Sequence, residues 1–316
     1  MKLHHNIYAR RLGALALLLC LSCMTAHGAG RRVARIPFEI NEGGHIFLRV
    51  RVGGSGPLLF GLDSGAEGTL ISTEQATALK LKLEGETQAA GGGEGTVAFS
   101  ASRNVRLGLA EAAVTLPEVG VVPLKIPSPI AGESVAGILG YDLISRFVVE
   151  IDYAAQVINL YEPAGYRYRG RGEAIPIRML DNNPYIPVTV KLPGMAPFRT
   201  MFVLDSGANT DLFFFAPFVK RHRLLSSQQE TTEASAVGLG GASRIRIGSA
   251  TSVRVGRTLI PNPVVHFSQA TRGDDASNIG AGFVGGKLLR RFSIVIFDQK
   301  RRRLILEHGQ ASGAVL

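Results

Sequence analysis

The residues best suited to do chemistry occur twice. Asp63-Ser64-Gly65-Ala66 returns as Asp205-Ser206-Gly207-Ala208, each led in by an apolar run. A single Asp-Ser-Gly carries little weight, because tight turns favour all three residue types. A pair separated by 205 − 63 = 142 positions, inside a longer repeat, carries much more. Two carboxyl groups delivered by equivalent loops can meet across a pseudo-twofold axis, since a loop near the axis in one copy has its counterpart there in the other. Held that close they cannot both ionise, so they share a proton and titrate as a coupled pair. One can then act as base on a water while the other donates a hydrogen bond to a scissile carbonyl. That is amide hydrolysis without a covalent intermediate.

The neighbouring residues suit those roles. Gly65 and Gly207 allow a tight turn that brings N–H groups to the carboxylates, Ser64 and Ser206 can bond across the axis, and Leu62 and Leu204 anchor the strands beneath. The elements that must position them repeat as well. Ile46 to Val52 and Ile186 to Leu192 alternate as strands, each followed by a Gly/Pro turn and a second apolar strand running into the aspartate. Downstream lie Ile138-Leu139-Gly140 and Phe283-Val284-Gly285, each opening a segment with a candidate single helical turn, at Asp142 to Ser145 and at Lys287 to Arg290. Thr73 to Leu79, with Ser72 as N-cap, and Ala216 to His222 are the other helices expected. Hairpins pairing Val148 to Ile151 with Val157 to Tyr161, and Ser293 to Phe297 with Leu304 to Glu307, should close the two copies. With 38 glycines and short apolar runs between turns, the chain is expected to be all-β: two duplicated barrel-like lobes, 33–163 and 173–308, joined by a linker over 164–172.

These four motifs, in this order, resemble those of the aspartic proteases, nearest the retropepsin-like bacterial members, over nearly the whole chain after residue 28. The resemblance implies the bilobal pepsin/retropepsin-like fold with an active-site cleft between lobes. It also implies Asp63 and Asp205 as the catalytic dyad and each apolar-apolar-Gly segment threaded beneath its own catalytic loop. Ser64 and Ser206 replace the commoner threonines. In place of one flap with a tyrosine at its tip there are two glycine-rich tips, with Gly91, Gly92 and Gly93 in one and Gly238, Gly240 and Gly241 in the other. They resemble the paired flaps of retroviral enzymes and are candidates for closing over substrate; plain flexible loops are the other reading. Ala66 and Ala208 stand where pepsin-like motifs often place a hydroxyl. A donor lost from a carboxylate leaves its charged form less stabilised, so activity is expected at weakly acidic to near-neutral pH.

Residues 1–28 have a different character. Lys2, Arg10 and Arg11 precede an apolar stretch from Leu12 to Leu21, and Ala26, Gly28 and Ala29 follow, which is the layout of a signal peptide cleaved near Gly28. The apolar run is shorter than the roughly 20 residues a bilayer crossing needs, so no stable membrane span is expected in the mature chain. Lipidation at Cys23 and a retained anchor are the alternatives. The expected location is therefore periplasmic or secreted. Both cysteines, Cys20 and Cys23, lie in this segment, so the mature chain has no thiol or disulfide to lean on.

The net charge is +10. Its two clusters, Arg167 to Arg171 and Lys300 to Arg303, read as solvated turns, with contact to an anionic envelope surface or acidic substrate as the alternative, and no nucleic-acid motif accompanies them. Seven histidines show no ligand spacing, so neither metal nor cofactor is expected, and no histidine repeats with the motif to activate a serine. His266 reads as a strand residue, Asp152 and Asp298 as hairpin-turn residues, and Glu67 and Asn209 as candidates to line the cleft. The function expected is that of a monomeric endopeptidase acting on peptide or protein substrates. A peptide-binding module that kept the fold without turnover is the alternative. A glycosidase would need its carboxyl groups about 5 Å or more apart.

Overall fold

The computed structural model describes residues 28–227 and 230–308. The expectation of a signal peptide rests on residues outside that range, Gly28 excepted. Strand dominates and the helices are short, so the chain is all-β. The Ile46–Val52 strand illustrates why: Leu48, Val50 and Val52 are buried while Arg49 and Arg51 face out, the period-two pattern that a half-buried pleated strand demands.

Six strands of the first half close into a barrel. Ile46–Val52 pairs with Leu58–Leu62, which runs parallel to Val135–Leu139; the path continues through Leu70–Ser72 and Ala112–Val122 to Thr96–Leu109. Arg51 opposite Gly108 and Val52 opposite Leu107 complete the ring. Phe60, Leu107, Leu116 and Leu139 fill it. The pairings of the second half run in the same order, from Asn183–Lys191 through Phe198–Asp205, Gly282–Gly285, Leu212–Phe214 and Val264–Ser268 to Gly241–Ser249. Here the two longest strands are each interrupted. Ser252–Val255 and Thr258–Pro261 are separate pieces, and Pro261 and Pro263, which lack an N–H, flank one of the breaks.

The closing hairpins form as expected, Val148–Asp152 with Val157–Tyr161 and Ile294–Asp298 with Arg303–Glu307. They also pair with each other, Val149 opposite Phe297 through Asp152 opposite Ile294. Arg32–Ile40 and Glu173–Pro176 add outer strands, so six strands drawn from both halves form one run. Every residue of Ile294–Asp298 is buried, because both faces of this sheet are covered. Val295, Phe297 and Leu304 join the main core, while Ile294, Ile296 and Ile305 pack on the other face with Tyr161 and Tyr166.

The four expected helices form, the first with a side-chain cap. Ser72 Oγ accepts from Gln75 N (3.1 Å) to start Thr73–Ala78, Ala216–Arg221 occupies the matching place, and the single turns Tyr141–Ile144 and Gly286–Leu289 follow Gly140 and Gly285. The arginine clusters depart from a purely solvated reading. Arg301 and Arg303 fold back onto the fully buried Asp298, at 3.2 and 2.9 Å, because a charge buried at a strand end requires partners. Arg167–Tyr168 pairs as a short strand with Gly28–Ala29. Among the described residues no helix is long and apolar enough to cross a membrane.

Candidate active site

Each aspartate stands at the end of a strand that is held from one side by a parallel neighbour. Leu62 lies opposite Leu139, and Leu204 and Asp205 lie opposite Val284 and Gly285. Asp63 N donates to Leu139 O (3.0 Å), Tyr141 N to Ala66 O (3.0 Å) and Gly286 N to Ala208 O (2.9 Å). Each apolar-apolar-Gly segment thus supports the loop of its own half from beneath. The same spot beneath each loop is satisfied by different groups. Thr69 donates through N (2.9 Å) and Oγ1 (2.5 Å) to Asp142 in the first half, whereas the buried Asp211 accepts from Val264 N (2.9 Å) and pairs with Arg291 (2.7 Å) in the second.

Ser64 and Ser206 tie the two loops together, and both are buried. Ser64 N donates to Ser206 Oγ (2.9 Å) and Ser206 N to Ser64 Oγ (3.0 Å). Their hydroxyls donate onward to Leu204 O (2.8 Å) and Leu62 O (3.0 Å) of the opposite strands. Removing either hydroxyl would strand a buried N–H and a buried carbonyl, at a cost of roughly 1–3 kcal/mol for each group.

This knot brings the carboxyls of Asp63 and Asp205 into hydrogen-bond contact. Gly65 N donates to Asp63 Oδ1 (2.8 Å) and Gly207 N to Asp205 Oδ1 (3.0 Å), so each carboxyl has one oxygen fixed by its own loop. The approach leaves no room for side chains. A Cβ at Gly207 would sit 2.5 Å from Asp63 Cγ, and one at Gly65 would sit 2.9 Å from Asp205 Cγ. Burial pushes the Asp205 pKa well above the usual carboxylate range. The negative charge of Asp63 and the hydrogen bond to it push the same way, against the opposing Gly207 and Ala208 N–H groups. Each of these causes favours the protonated form of Asp205, whose proton can be donated to Asp63. A pair holding one proton can take one from a water and give one to a carbonyl in the same step. The contact also falls short of the separation a glycosidase requires.

The glycine-rich tips meet each other. Gly95 N donates to Gly240 O (2.7 Å) and Gly240 N to Gly92 O (2.8 Å); Gly91 lies against Leu239, Gly92 against Gly238 and Gly93 against Gly241. The first tip is also fastened to the loop following Val264–Ser268. Glu94 Oε1 accepts from Thr271 N (2.6 Å) and Oγ1 (2.9 Å), while the buried Asp275 accepts from Ser243 Oγ (2.5 Å) and from the Gly93 N–H.

The sequence reading did not single out Glu94, Thr271 or Asp275, since no local pattern announces a contact between residues 177 positions apart. It also passed over His45, whose ring lies near Asp63 and the Gly207 backbone. Glu67 reaches Asn183 (3.4 Å), and Asn209 packs on Gly43, so each residue following a motif meets a loop of the other half. His266 sits in the Val264–Ser268 strand, its pKa lowered by burial. Ile126 and Ile130, in the loop after Ala112–Val122 that carries Pro123, Pro127 and Pro129, pack on Phe47, Leu59 and Val135. A hollow of about 390 Å³ between that loop and Ser72 to Glu74 is lined by neither aspartate. Among the described residues no three His, Cys, Asp or Glu side chains converge as a metal site.

A family model described as aspartyl protease matches residues 48–143, the segment that carries Asp63 and Gly140. No curated protein matches the chain.

Proposed function

We propose that the chain is an exported aspartic endopeptidase that hydrolyses peptide bonds with a water activated between Asp63 and Asp205. The observation that carries this reading is the contact of the two carboxyls within reciprocal Ser64–Ser206 bonds, where burial raises the Asp205 pKa. In this reading the two halves are duplicated lobes, the dyad lies at the floor of a cleft between them, and the tips around Gly92 and Gly240 form its roof. Asp63 takes a proton from the water as the oxygen attacks, and Asp205 donates one to the carbonyl oxygen. The tetrahedral intermediate then collapses with proton transfer to the leaving amine. The match of residues 48–143 to the aspartyl protease family supports the peptidase class. The basic and apolar leader before Gly28 supports export.

The decisive experiment is cleavage of a diverse peptide library by the mature protein from about pH 3 to 8, with and without pepstatin, beside Asp63→Asn and Asp205→Asn. Both variants should fold and lose cleavage; activity retained in either would refute the dyad. The bonded tips favour one second reading, a peptide-binding module whose closed roof leaves the dyad idle. Peptide binding without cleavage by the folded native chain is the outcome that reading requires.

A further inference from the structure

His45 lies on the turn between the Arg32–Ile40 and Ile46–Val52 strands, yet its surroundings belong largely to the other half. Gly43 packs against Asn209 and Gly44 against Gly286 and Lys287, while Arg290 donates to Asn41 O (3.4 Å). The turn is thereby seated on the loop that carries Asp205. Within it, His45 N donates to Asn41 Oδ1 (3.0 Å), which fixes which end of the Asn41 amide faces the ring. The amide nitrogen lies 3.1 Å from His45 Nδ1, so Nδ1 must accept and the ring proton must sit on Nε2. The ring faces the Gly207 backbone beside Asp63, so that proton can be donated to the Gly207 carbonyl.

We propose that His45 is a positioning residue of the dyad: as a neutral imidazole it bonds the Gly207 carbonyl and holds the Asp205 loop in register with Asp63. This deepens the aspartic-protease reading and rests on it. Counted from the aspartates along the paired strands, the corresponding place in the second half is Asn183, which reaches Glu67 instead, so one half supplies an imidazole brace that the other lacks. A second proton on the ring would point Nδ1–H at the Asn41 NH₂ group and break the turn. Burial disfavours that proton first and the Lys287 charge adds to it, against the attraction of Asp63 and the Gly207 carbonyl, so the ring titrates below its ordinary 6.5. Arg290 beside the turn also opposes protonation, while Glu42 on the same turn favours it. The brace therefore holds above that lowered value and releases as pH falls through it, which adds an acid limb of activity separate from that of the dyad.

His45→Gln and His45→Leu test this beside Asp63→Asn. The glutamine amide can donate to Gly207 and accept from Asn41 but cannot titrate. It should keep kcat within about threefold of native near neutral pH and lose the native acid limb, whereas leucine should cut kcat at least about tenfold with KM little changed. Native kcat in His45→Leu, or an unaltered acid limb in His45→Gln, would overturn the proposal. Nitrogen-15 NMR of the ring reads the brace without any turnover, in the native chain and in Asp63→Asn alike. A neutral ring with its proton on Nε2 is expected, and an Nδ1 proton at neutral pH overturns the proposal whether or not the chain cleaves peptides. Cleavage by Asp63→Asn would instead overturn the dyad and leave the ring measurement to judge His45.

Discussion

At the scale of single residues, the site sets two carboxyls in contact and raises the pKa of one of them, Asp205. Because the Asp205 pKa is raised, the folded state binds a proton that the unfolded state releases. The stability linked to this group is full below the ordinary aspartate range and is lost as pH rises through the raised value. Asp205→Asn removes that loss. Its melting temperature should exceed the native value near pH 7 to 8, at about 2–4 °C per kcal/mol, and converge with it near pH 4. Thermal unfolding of both proteins across that range checks this; a constant difference at every pH would mean that Asp205 is not the group holding the proton. The two aspartates, their serines and their glycines are all apparent in the sequence, because a duplicated motif announces a symmetric site. His45 is not, since nothing near Asn41 to His45 says that the ring will find Gly207.

Among the elements, the hairpin tips are the ones that would govern access in the proposed reading. The Glu94 pKa is held down by its hydrogen bonds from Thr271, so the clasp is intact above the ordinary glutamate range and is lost as pH falls through the lowered value. Replacing Glu94 by alanine should leave the melting temperature nearly unchanged while the Gly95 and Gly240 amides exchange roughly tenfold faster. Unchanged exchange would show that the tips hold each other without help from Thr271. Much of this level was readable beforehand for a local reason. Ser72 caps a helix whose Gln75 N–H is one turn away, and Val148 to Tyr161 folds back on itself within a short span. What could not be read is pairing between distant strands. An apolar run such as Ile294–Asp298 says that it will be buried, not that Val149 will lie opposite Phe297. Arg301 and Arg303 misled for a related reason, since only the folded chain reveals Asp298 buried beneath them.

For the whole molecule, the sheet shared by both halves matters most. Strands near the beginning, middle and end of the chain, Arg32–Ile40, Val148–Asp152 and Arg303–Glu307, lie in one continuous hydrogen-bonded run. Neither half can therefore leave without tearing main-chain bonds. The consequence concerns concentration. A dyad assembled from two separate chains obeys mass action and fades when the chains are diluted, whereas here covalent connection makes the encounter of Asp63 with Asp205 intramolecular. Turnover per molecule should stay constant when the protein is diluted from micromolar to nanomolar, as initial rates at fixed peptide concentration can establish. A steep fall would mean that a second copy helps to build the site. If the rate holds, the first molecule to fold is as competent as the thousandth, and no threshold of abundance delays its action.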